Sequence, residues 1–145
     1  MHVTYFYNKT KPDYKHESII TPITKAVSKV IELPPAIEVC LYDLGKSTYG
    51  GIDLYRVNRI GMNYTLPYDG VPIVLVHELI HVHQKHKGHL KITPRGHCYW
   101  HGVLFSQTLS EDMSYEDYMN LPWEIDAYNK QEKILSEAIS ILTTK

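Results

Sequence analysis

Three residues in the stretch Val74-Leu-Val-His-Glu-Leu-Ile-His-Val-His83 have the types and spacing for metal chemistry: His77, Glu78 and His81. On a helix, residues four apart lie one turn above one another, so His77 and His81 point the same way and can share one metal ion. Glu78 sits beside them, placed to take a proton from a water on that ion. Ile73, Val74, Leu75, Val76, Leu79, Ile80 and Val82 make the segment apolar on most sides, as a buried central helix is. Buried polar groups must be paired or bind metal, which gives two histidines and a glutamate in such a helix their reason. The competing reading is a chance match of the spacing, and the apolar setting weighs against it.

A catalytic zinc takes three protein ligands and keeps one position open. His77 and His81 supply two, and the candidates for the third are Glu124, His101 and His97. Glu124 falls in the first turn of the last predicted helix, two residues after Pro122 and between Trp123 and Ile125. A carboxylate is favoured there by the helix dipole. Each metal-bound histidine needs an acceptor for its other ring N–H, and Asp126 is a candidate. Tyr128, Tyr99 and His101 are candidate donors to the oxyanion that hydrolysis creates. His83 and His86 are turned away from the His77/His81 face by the helix period and read as solvated surface residues.

These residues need elements to hold them. Tyr5 and Tyr7 suggest a short first strand, and Lys11-Pro12-Asp13 a turn. Thr21 as N-cap and Pro22 at the first helical position predict a helix that carries Ile23, Val27, Val30 and Ile31 and ends before Pro34-Pro35. Ile37–Leu44 and Ile52–Val57 read as strands, separated by a turn region at Gly45 and Gly50-Gly51. Residues Asn58 to Leu66 alternate, with Ile60, Met62, Tyr64 and Leu66 on one face. At the edge of a sheet, this strand could pair with an extended peptide. Pro67-Tyr68-Asp69-Gly70 is a turn in which Asp69 caps the metal helix, predicted over Val71–Lys87 with Gly88 as its stop. A turn at Pro94-Arg-Gly96 and a hairpin through Tyr99 to Phe105 follow. Ser114-Tyr-Glu-Asp117 resembles a capping box, and Asn120-Leu-Pro122 opens a last helix with Ala127, Ile134, Leu135, Ala138, Ile139 and Leu142 as its stripe. The predicted class is α+β, one domain over residues 1–145. In it a small mixed or antiparallel sheet packs on the metal helix, and a C-terminal helix brings a ligand.

The whole-chain properties narrow the function. The 145 residues carry a formal net charge of −1 with a sequence pI near 6.7. No basic excess points to nucleic acid. No apolar run reaches bilayer length, and the first ten residues lack the apolar region of a signal peptide. Cys40 and Cys98 fit a reduced compartment better than a disulfide framework, so a cytoplasmic location is expected. Twelve tyrosines against two phenylalanines suit the walls of clefts.

H-E-x-x-H is also the spacing shared by zinc metallopeptidases. His77-Glu-Leu-Ile-His-Val-His-Gln84, Trp100-His-Gly102 and Leu121-Pro-Trp-Glu-Ile-Asp-Ala-Tyr128 together resemble a group of small phage and bacterial proteins. In these an H-E-x-x-H helix precedes a W-x-G element and a P-W-E-I-E-A-Y segment; here Asp126 replaces the second Glu. That group is similar to a minimal gluzincin, a zinc peptidase whose third ligand is a Glu on a downstream helix. The resemblance covers about Tyr49 to Glu132. It implies a zincin-like fold, Zn2+ on His77, His81 and Glu124, Glu78 as general base, a protein or peptide substrate, and a host cytoplasm if the source is a phage. A competing resemblance is to SprT-like proteases, with His101-Gly-Val-Leu-Phe105 supplying the third ligand. The other class of function is a non-catalytic zinc-containing binding protein on the same scaffold.

Overall fold

A computed structural model describes residues 1–8, 14–42, 50–52, 57–63, 65–105 and 114–144. The turns expected at Lys11-Pro12-Asp13 and Gly45, and Asp53 to Arg56 of the second expected strand, lie outside these residues. So does Tyr64. The described elements run β1 (His2–Asn8), α1 (Tyr14–Val27), β2 (Ala36–Tyr42), β3 (Gly50–Ile52), β4 (Arg59–Asn63), α2 (Val71–His86), β5 (Leu90–Ile92), β6 (Cys98–Trp100), β7 (Val103–Phe105), α3 (Tyr115–Met119) and α4 (Pro122–Thr143). The class is α+β, as expected.

The larger sheet is mixed, in the order β1-β2-β4-β3, with β1, β2 and β4 parallel and β3 antiparallel to β4. Period-two alternation sends Ile37, Val39 and Leu41 of β2 and Ile60 and Met62 of β4 into the core. There they meet Ile20, Ile23 and Val27 of α1, Leu75, Val76, Leu79 and Ile80 of α2, and Ala127, Ile134 and Ala138 of α4. The metal helix is therefore central, enclosed by the sheet and two helices, as its nearly all-round apolar sequence requires.

Three local expectations are corrected. The first helix starts at Tyr14, not at Thr21-Pro22, so Pro22 lies inside it. An interior proline costs about 3 kcal/mol. Against that, the added turns bury Ile20 completely, bring the His16 ring to the Leu66 carbonyl, and pair Thr21 and Glu17 with the hydroxyls of Tyr5 and Tyr7. Tertiary packing overrides the local boundary signal. Second, β4 is an interior strand, paired with β2 on one side and β3 on the other, so its backbone is not free for a peptide. It ends where the Asn63 carboxamide oxygen accepts from the Thr65 N–H and hydroxyl. Third, Asp69 does not cap α2. Residues Tyr68–Gly70 form a 3-10 turn that runs directly into the helix, whose N-cap is Gly70 without a side-chain bond. Pro72 in that first turn has no N–H to satisfy. The other end is as expected, with Gly88 at φ +76° just past the helix.

A second, antiparallel sheet, β5-β6-β7, has its own small core of Leu90, Cys98, Leu121 and Trp123, joined by Ile92, Trp100 and Phe105. The Trp123 ring stands edge-on to Phe105 at 5.5 Å and 6.5 Å from Trp100. Trp123 is the second residue of α4, so this little sheet clamps the end of the helix that carries Glu124. Ile125, on the other side of Glu124, is 44% exposed and adds no such anchor. Ser114 caps α3 as expected, its hydroxyl accepting from the Asp117 N–H at 3.1 Å.

Candidate metal centre

Helix α2 presents His77 and His81 on one face, and α4 packs across that face with Glu124 in its first turn. All three side chains are buried. His77 Nε2 lies 2.9 Å from Glu124 Oε1, and His81 Nε2 lies 2.8 Å from Glu124 Oε2. The two Nε2 atoms are 3.2 Å apart. The ligand atoms of the three residues fall within 4.8 Å of one another, and this is the one such group of histidine, cysteine or acidic side chains among the described residues. Two imidazole nitrogens and one carboxylate form a borderline donor set that suits zinc.

Burial works against the Glu124 carboxylate, but hydrogen bonds from His77 and His81 and their charge outweigh it and hold it down at about 2. Burial also disfavours charge on His81, yet Glu124 and Glu78 lift it above the ordinary histidine value. Protons thus pair the three side chains, and a divalent ion bound by the same atoms would displace them.

Glu78 is 5% exposed, and its Oε2 has no hydrogen-bond partner. Burial raises its pKa, with the charges of His81 and His77 pulling the other way. An unpartnered buried carboxylate oxygen beside a buried His2Glu group is what a base aimed at a metal-held water requires. The residues present therefore fit a metal ion.

Around the three donors lies a layer of polar contacts. His77 Nδ1 is 2.8 Å from Gln131 Oε1, and His81 Nδ1 is 2.8 Å from Gln84 Oε1. Gln84 Nε2 donates to the Trp123 carbonyl and to Asp126 Oδ2, each at 2.9 Å. Asp126 is in turn 2.6 Å from Lys130 Nζ. Burial raises the Asp126 carboxyl, but Lys130 and Gln84 lower it further, leaving it below its usual value. The partner expected for a histidine ring, Asp126, thus reaches His81 through Gln84.

Two tyrosines face the group. The Tyr128 ring packs on His77 at 4.5 Å between centroids. The Tyr118 hydroxyl hydrogen-bonds with Glu124; burial and the charges of Glu124 and Glu78 push its pKa well above the ordinary tyrosine value. Sequence reasoning missed Tyr118, Gln84 and Gln131. The spacing of Gln84, on the same helix face three residues after His81, was the available signal for one of them.

His101 and His97 do not join the group. His101 occupies the β6–β7 turn at φ +50°, its ring against His89 at 4.5 Å and Trp100 at 4.6 Å. Tyr99 lies on β6, paired with Lys91 and Leu104. His83 is half-buried with Nδ1 at 2.7 Å from the Glu32 carbonyl, and exposed His86 lies 3.5 Å from the Glu32 carboxylate. No described helix is long and apolar enough to cross a membrane. No family model matches this chain, and neither does any curated protein or solved structure.

Proposed function

We propose that this protein is a zinc-dependent metallopeptidase of minimal gluzincin type, acting on protein or peptide substrates. The observation that carries the reading is the buried convergence of His77, His81 and Glu124 beside the unpartnered oxygen of Glu78. A zinc ion held by the three residues supplies activation of the attacking water and polarisation of the scissile carbonyl. Glu78 accepts the proton of that water through Oε2 and returns it to the leaving amine. Its apolar surroundings, which raise its pKa, suit both halves of this transfer.

The Tyr118 hydroxyl supplies the donor for the oxyanion. It already reaches Glu124, and its residue is 40% exposed, so it borders the centre within reach of a substrate. Tyr128 forms a wall against His77 and orients substrate there. An extended substrate backbone would pair with a sheet edge, and among the described residues the order β1-β2-β4-β3 leaves β1 and β3, not β4, at the edges.

The competing reading, a binding protein with structural zinc, gives no task to the Glu78 oxygen. A closed structural site takes a fourth protein ligand, and no fourth histidine, cysteine or acidic ligand joins the group among the described residues. Mass-spectrometric profiling of cleavage products in a proteome digest tests the proposal. Wild type should generate new peptide termini that the Glu78→Gln variant does not. Identical profiles would overturn the peptidase reading.

A further inference from the structure

The hydrogen bonds around Gln84 fix more than its position. Its carboxamide nitrogen faces the Trp123 carbonyl and the Asp126 carboxylate, and both of these groups only accept. The amide cannot be turned over without setting oxygen against oxygen twice. Its Oε1 therefore faces His81 Nδ1, and because that oxygen also only accepts, His81 must carry its proton on Nδ1. With Nδ1 the fixed N–H, Nε2 is the atom left for Glu124 and His77: it meets the Glu124 carboxylate through a proton here, and its lone pair would face the same point once a metal ion took that proton's place. Gln84 is fully buried, and its other contacts are to α4 residues held by the Trp123 anchor and by Lys130. On the second histidine, Gln131 Oε1 makes the corresponding contact with His77 Nδ1.

We propose that Gln84 and Gln131 are the positioning residues of the metal centre. Their side-chain carbonyls hold His81 and His77 as Nδ1–H tautomers with Nε2 aimed at one point. Both acceptors are neutral amides, so they add no negative charge of their own to the centre. Gln84 has a second consequence: it links α2 to α4, so the same side chain that fixes a ligand on one helix fixes the helix that brings the third. Metal affinity is thereby tied to the docking of α4. The inference rests on the metal reading above.

Zinc affinity measured by chelator competition tests it, alongside thermal unfolding of the metal-free proteins. Gln84→Leu and Gln131→Leu should each weaken zinc binding by about 10–100-fold, the usual cost of losing such a partner. Gln131→Glu keeps an acceptor for His77 Nδ1 and should hold zinc at least as tightly as wild type. A purely structural role for Gln131 would not separate Leu from Glu at that position. If Gln84→Leu fails to fold, the Gln131 pair decides the matter, because Gln131 lies at the edge of the group and is only half-buried. Wild type that holds zinc, with the folded Leu variants at wild-type affinity, overturns this inference and leaves the metal centre standing. Wild type that takes up no zinc overturns both.

Discussion

Glu78 and Glu124 are both buried glutamates beside the same histidines, yet their surroundings differ in the way the two roles proposed for them require. Glu124 places one oxygen on each histidine and is held ionised at about 2. Glu78 has one oxygen without a partner and a raised pKa. Glu78→Gln should therefore keep the fold and the metal while lowering kcat by about 10²–10⁴-fold, the range for removing a general acid–base. The check is turnover of a substrate found by profiling, with metal content measured on the same sample. Tyr118→Phe separates the two tyrosines. Losing an oxyanion donor lowers kcat by about 10²–10³-fold, whereas Tyr128→Phe keeps the ring on His77 and should leave kcat close to wild type. Equal losses in the two variants would remove Tyr118 from its role.

The element that decides the site is the start of α4. Trp123 fills the core of the small sheet, and Glu124 follows it directly. Truncating a buried aromatic costs about 3–5 kcal/mol, so Trp123→Ala should lower the denaturant midpoint and also weaken zinc binding by releasing Glu124. A variant with the stability loss but unchanged zinc affinity would show that the sheet does not position the ligand. The sequence carried this part well, since helical spacing alone pairs His77 with His81 and Pro122 marks the turn that presents Glu124. It carried other parts poorly, for physical reasons. Pro22 is a strong local start signal, but the helix continues through it because His16 and Ile20 find partners far along the chain. The interior position of β4 depends on β3 folding back beside it, which strand alternation cannot encode. Gln131 and Tyr118 acquire their roles only when α2, α3 and α4 are brought together, so no local pattern marks them, whereas Gln84 is marked by its spacing from His81 alone.

At the scale of the whole molecule, the metal is expected to be a folding ligand as well as a reagent. Its donors come from α2 and α4, which lie on either side of the β5-β6-β7 sheet in the chain, so binding resists the separation of these parts. An ion that binds only the folded state, present at 100 times its dissociation constant, adds about 2.7 kcal/mol. Chelation should lower the unfolding temperature by several degrees, and re-addition of zinc should restore it; scans unaffected by either treatment would argue against the coupling. The burial of the three donors predicts that this gain depends little on salt. The central claim is that His77, His81 and Glu124 together hold one zinc ion. It is tested most directly by zinc stoichiometry and chelator-competition affinity of wild type, Glu124→Ala and His101→Ala measured side by side. The account predicts about one zinc per chain, a loss in Glu124→Ala well beyond the roughly 10–100-fold typical of an outer partner, and near wild-type affinity in His101→Ala. Zinc released by His101→Ala and retained at wild-type affinity by Glu124→Ala would contradict it.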